Sequence, residues 1–155
     1  FYLAIYVAMT LGSFICVLEM RGKDGKPLES LSSLAGLSQT RPGLAAAFAV
    51  FMFSLAGIPP LFGFWGKFLV FDAAVAAGML PLAVIGIAAS VIGAFYYIKV
   101  VKIICFDDPA DEIAVTGHKA ENILIAILAL IVSPLGYLAI PFVAPITAAA
   151  AAALF

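Results

Sequence analysis

The chain has 155 residues, of which 65% are hydrophobic and 11% charged, and a formal net charge of −1; an ordinary soluble domain is roughly 45–50% apolar and about 25% charged. This balance predicts an all-α fold, a polytopic transmembrane helix bundle, and leaves no basic stripe for a phosphate backbone, so no nucleic-acid partner is expected. Two cysteines, Cys16 and Cys105, are too few for a four-thiolate cluster or zinc site and read as small buried hydrophobes; no metal site is expected.

The first predicted span covers residues 1–18. It opens on Phe1 inside an apolar run, without an initiator methionine, and the chain is expected to be the C-terminal part of a longer protein. Residues 18–41 form the first loop. Within it Leu28, Leu31, Leu34 and Leu37 recur every three residues with serines between them, which predicts a short helix over 28–38. It lies in the membrane interface or packs on the protein's own surface.

The second span, residues 43–77, holds the stretch "FMFSLAGIPPLFGFWGKFLVF". Its roughly 35 residues would make a straight helix about 52 Å long, well beyond a ~30 Å hydrocarbon core. A break is therefore expected at Gly57–Pro60: Gly57 closes one half-helix, Pro59 cannot continue it, and Pro60 suits the first turn of the next. Such a break frees backbone polar groups at membrane depth, which are tolerated only against protein or water. Transporters use this device, and packing alone also produces kinks.

Lys67 follows, among Phe64, Trp65, Phe68, Leu69 and Phe71. Its stem reaches an interface only if the helix is displaced along the membrane normal; otherwise an intramembrane cation marks an ion or proton path. Burial disfavours the charged form of an amine and an acidic neighbour restores it. A lysine meeting these conditions in turn can store and release a proton. Asp72, five residues on, falls on a different helical face and reads as an interface residue.

The third span covers residues 80–104, after a brief turn at Gly78 and Pro81, and carries a small-residue ridge of Gly86, Ser90 and Ala94 suited to close helix packing. A loop over 105–122 follows, with "FDDPADE" turning the chain and His118 read as solvated; the fourth span covers 120–141, kinked at Pro134. The whole chain is one transmembrane domain. Basic residues support four spans rather than five, because a single broken crossing puts Arg21, Lys23, Lys26, Arg41, Lys99, Lys102 and Lys119 on one side, seven of the eight in the chain. Only Lys67 is left over.

With "SLAGIPPLFGFWGKFLVF", "YYIKVVKIICFDDP" and "LSSLAGL" in view, the chain resembles the antiporter-like membrane subunits of proton-pumping NADH:quinone oxidoreductase, respiratory complex I. The lysine in "GFWGKF" favours the subunit N branch. The resemblance implies that Lys67 is a proton-relay lysine in a discontinuous helix marked by Gly57, Pro59 and Pro60, and that the partners are other membrane subunits in a hetero-oligomer. It implies residence in a bacterial inner membrane rather than the mitochondrial one. FMN, iron–sulfur clusters and quinone would belong to other subunits, with no cofactor and no redox centre in this chain. Other readings of the same architecture are an Mrp-type cation/proton antiporter and a non-transporting membrane scaffold.

Overall fold

The computed structural model describes residues 2–28, 30–110, 114 and 118–153. Every long element among them is helical. In chain order these are α1 (Tyr2–Leu18), a 3₁₀ turn at Ser32–Leu34, α2 (Leu37–Thr40), α3 (Pro42–Ala56), α4 (Phe62–Ala76), α5 (Leu80–Phe106), α6 (Lys119–Val132), a 3₁₀ segment at Pro134–Ala139, and α7 (Ile140–Ala152).

Helix α3 is the centre, packed against α1, α4, α5 and α6. It starts at Pro42, whose missing N–H costs nothing in a first turn, and it buries Phe48, Phe51 and Met52 against Met9, Ile104 and Leu128. Its approach to α1 is close because position 12 has no side chain: a Cβ on Gly12 would lie 2.3 Å from Cζ of Phe51.

Helix α5 is the one helix, among the described residues, long and apolar enough to cross a membrane, with mean hydropathy 1.9 and only 6% of its apolar window buried. Val91, Ile92 and Phe95 are each about two-thirds exposed. A patch of that extent belongs against lipid or another protein. Helices α3 and α4, at 15 residues each, are about 22 Å long, individually short of a ~30 Å core.

The loops after α1 and α5 meet on one face. Ala110 N donates to Ala35 O at 3.0 Å, Ala114 N to Arg21 O at 2.8 Å, and Gly36 N to Ile103 O at 3.3 Å. The Asp111–Glu112 end of the "FDDPADE" turn, and Glu29 in the first loop, lie outside the described residues.

The helix expected over 28–38 is not continuous. A 3₁₀ turn and the four-residue α2 replace it, separated by Ala35 and by Gly36 at φ +67°. The leucines spaced by three suit a 3₁₀ turn, in which i and i+3 eclipse, and the left-handed glycine then redirects the chain under Pro109, leaving no room for a Cβ. The final segment also divides. Ser133 ends α6 and its hydroxyl accepts from Leu135 N at 3.2 Å, starting the 3₁₀ segment at Pro134.

Candidate functional site

The residues between α3 and α4 account for nearly every backbone group that a helix end leaves unpaired. Gly57, at φ +87°, lets its N–H donate to Phe53 O at 3.1 Å and Ser54 O at 3.0 Å, and Ile58 N adds a second donor to Phe53 O at 3.1 Å. The remaining two carbonyls of the last turn are taken by a side chain. Lys67 Nζ donates to Leu55 O at 2.8 Å and to Ala56 O at 3.3 Å.

Across the gap, Gly63 N in the first turn of α4 donates to the fully buried Ser54 Oγ at 3.0 Å, and that hydroxyl donates to Met9 Sδ at 2.9 Å. The approach requires glycine, since a Cβ at position 63 would lie 1.8 Å from Ser54 O. On the other side, Tyr137 Oη donates to the Pro60 carbonyl and accepts from Trp65 Nε1 at 2.7 Å.

Gly57 acts as the C′ residue that the sequence predicts. Pro60 does not open the next helix. A turn closed by Leu61 N on Ile58 O at 3.1 Å takes up both Pro59 and Pro60, whose shared peptide bond is cis, and Leu61 becomes the N-cap of a helix that starts at Phe62.

Lys67 is half-buried and borders two cavities. One, of 580 Å³, is mostly apolar and includes Gly57, Asp72, Ser90 and Ala94; the other, of 210 Å³, brings in Tyr2, Tyr6 and Tyr97. Lys67 and Ser90 border both. The amine therefore sits at the negative end of α3, where partial charge from the terminal carbonyls favours a cation, and its residue borders both cavities. Asp72 borders the larger cavity rather than facing elsewhere, although no ion pair joins it to Lys67 among the described residues. The small-residue ridge faces α4: a Cβ on Gly86 would meet the Phe71 ring at 2.7 Å, while Ser90 and Ala94 line the cavity.

A second polar cluster sits on the loop face. Buried Glu19 accepts from Arg41 Nη2 at 2.9 Å and from the His118 backbone N at 3.2 Å, with His118 Nδ1 3.1 Å away; Arg41, also buried, donates to Glu19 O at 2.9 Å and to Asn122 Oδ1 at 3.4 Å. Burial pushes the Glu19 carboxyl up, but a hydrogen bond shared with Glu121 and those from Arg41 and His118 outweigh it and bring the group down to about 2. The cluster thus pins the end of α1 to the starts of α3 and α6. His118, expected to be merely solvated, is exposed yet engaged. Carboxylate and imidazole atoms of Glu19, His118 and Glu121 lie within 4.8 Å of one another, but the Arg41 guanidinium already neutralises the buried member, an arrangement that suits an ion pair better than a metal ion.

This is an all-helical membrane protein in which a lysine of α4 closes the end of α3. The family model described as NADH:quinone oxidoreductase/Mrp antiporter, transmembrane, matches residues 1–93, and the chain belongs to that family. NADH-quinone oxidoreductase subunit N of Rhizorhabdus wittichii is 69% identical over 155 residues, spanning 99% of this chain and 32% of that relative. The subunit N of Erythrobacter litoralis is 57% identical over 154 residues, again 99% of this chain and 32% of the relative. The chain thus spans about a third of the length of the curated relatives it matches. A solved structure, respiratory complex I from Thermus thermophilus with bound Aureothin, contains a chain 33% identical to this one, with TM-score 0.72 over 84% of this chain and 30% of that chain.

Proposed function

We propose that the chain is the C-terminal part of an antiporter-like, proton-translocating subunit of NADH:quinone oxidoreductase, lodged in a bacterial inner membrane among other membrane subunits of that hetero-oligomeric enzyme. In this reading α3 and α4 form one discontinuous crossing, the second of four, and Lys67 stores a proton between two half-channels. The observation that carries the reading is the position of Lys67, its amine held by the carbonyls of Leu55 and Ala56 and its residue bordering two cavities. An ammonium there needs no acidic counter-ion to be tolerated, because the end of α3 supplies partial negative charge. A proton arriving by one cavity and leaving by the other would change the charge on one atom and require only that water or a polar side chain reach it in turn.

The loop contacts support the single broken crossing. Two loops hydrogen-bonded to each other lie on one side, so α3, α4 and α5 together must leave that side and return. In this reading electron transfer belongs to other subunits, which would hold FMN, the iron–sulfur clusters and the quinone. The family description also covers Mrp antiporters, while the relatives above carry the name of the oxidoreductase subunit.

The test is NADH-driven proton translocation in membrane vesicles carrying the full-length subunit at matched assembly. Lys67→Met should abolish or severely reduce pumping, since a thioether of similar length cannot titrate. Lys67→Arg should impair it too, because a guanidinium stays protonated. Near-normal pumping in the arginine variant would identify Lys67 as an anchoring cation and remove the proton-store role.

A further inference from the structure

We propose that Tyr137, delivered from the last segment of the chain, is the positioning residue that fixes the interrupted helix and thereby sets Lys67 on its carbonyls. The proposal rests on the proton-store reading of Lys67. Its starting point is the carbonyl of Pro60, which lies between two helices and has no helical donor. In an apolar surrounding such an acceptor must be met by a side chain or water. The Tyr137 hydroxyl meets it, and Trp65 Nε1 in turn donates to that hydroxyl at 2.7 Å. One phenol thus binds the turn before α4 and the first turns of α4 itself.

The segment that carries Tyr137 is shaped for this contact. Val132 ends α6, Ser133 caps the 3₁₀ segment, and Gly136 is buried where a Cβ would lie 2.6 Å from Phe62 Cε2 and 1.8 Å from Ile131 O. Any other residue at 136 would push the segment off α4. The Tyr137 ring then packs edge-on against Phe62, with centroids 4.6 Å apart. Opposite this contact, Ser54 holds Gly63 from α3. The start of α4 is therefore gripped on two sides, and Lys67 lies two helical turns beyond Pro60, where a small rotation of α4 would lift its amine from Leu55 and Ala56.

The phenol touches neither the amine nor the cavities that border it, so its effect is exerted through α4. The titratable groups that border the same cavities as the amine are Asp72 on its own helix, Tyr2 and Tyr6 on α1, and Tyr97 on α5; α3 presents carbonyls. None of these is altered by a change at position 137.

The experiment compares Tyr137→Phe, Trp65→Phe, Lys67→Met and the Tyr137→Phe/Lys67→Met pair in the full-length subunit within the assembled enzyme. Tyr137→Phe keeps the ring contact and removes the hydroxyl. Pumping per assembled complex should fall roughly three- to tenfold, the size of one lost hydrogen bond. Its pH profile should move toward lower pH, because an ammonium separated from carbonyl acceptors gives up its proton more readily. Trp65→Phe should move both in the same direction by less. The double variant should pump no less than Lys67→Met alone.

Hydrogen exchange over residues 58–66 should rise in Tyr137→Phe whatever Lys67 does. Unchanged exchange and pumping would overturn the proposal, as would reduced pumping with an unmoved pH profile, the mark of a purely structural role. If Lys67→Met pumps normally while exchange still rises in Tyr137→Phe, the proton-store reading has failed and the grip on the break stands. If Tyr137→Phe does not assemble, Trp65→Phe decides by the same two readouts.

Discussion

The Lys67 amine donates to the Leu55 carbonyl at 2.8 Å, so a side chain of α4 closes the end of α3. In an uninterrupted helix that carbonyl would be taken by the backbone N–H of residue 59, and residue 59 is a proline, which has none. The prolines offer the carbonyls of Leu55 and Ala56 no donor, and the lysine supplies one. The amine's charge and the geometry of the break are coupled, because a neutral amine is held less strongly by the two carbonyls than an ammonium is.

Gly57→Ala tests that coupling through the backbone. A left-handed conformation costs a non-glycine residue roughly 1–2 kcal/mol, and the added Cβ would lie 3.2 Å from Lys67 Cδ, tighter than an ordinary contact. The expected outcome is a lower thermal-inactivation midpoint together with weaker pumping per assembled complex. A variant that lost stability and kept full pumping would show that the lysine tolerates displacement from the break.

How much of this was legible in the sequence follows from range. Gly57 at C′ and Pro59 as a stop were readable because turn chemistry is local and acts on immediate neighbours; the place of Pro60 was not, because a turn closed by Leu61 N on Ile58 O takes up both prolines and leaves Leu61 as the N-cap. The shared face of the two loops was readable because basic residues sort by side, and the hydrogen bonds from Ala110 to Ala35 and from Ala114 to Arg21 agree with it. Glu19 with Arg41, and Tyr137 with Pro60, were not. These pairs are separated by 22 and 77 residues, and no spacing rule relates residues brought together only by helix packing. Asp72 lies on a different helical face from Lys67, and no ion pair joins the two among the described residues, although both border the larger cavity.

Ser54→Ala tests the inner grip on α4. The fully buried hydroxyl accepts from Gly63 N, and removing it leaves that N–H without a partner, a cost of about 1–3 kcal/mol. Ser54→Thr retains the acceptor but adds a methyl group to a filled site. The alanine variant should lower the yield of assembled subunit and raise hydrogen exchange at Gly63 and Phe64. Wild-type exchange at those two amides would mean that water replaces the serine and that the hydroxyl holds nothing.

The Glu19–Arg41 pair gives a pH-dependent prediction with a definite sign. Glu19 titrates at about 2 in the folded chain against 4.5 unfolded. A carboxylate whose folded value is depressed contributes stability that is fully present above the unfolded value and disappears as pH falls through the folded one. Wild type and Glu19→Gln should therefore differ in thermal midpoint at neutral pH, with wild type higher, and converge as pH is lowered from about 4.5 toward about 2. Arg41→Ala should be worse than Glu19→Gln at neutral pH. It removes the counter-charge of a buried carboxylate, which keeps only its hydrogen bonds with His118 and Glu121, whereas the glutamine leaves a guanidinium that still donates to Glu19 O, a backbone carbonyl the substitution retains. The measurement is the thermal midpoint of each detergent-solubilised variant across that pH range. Equal midpoints for Arg41→Ala and Glu19→Gln at neutral pH, or a wild-type advantage that grows with acidification, would show that the pair is not what pins α1 to α3.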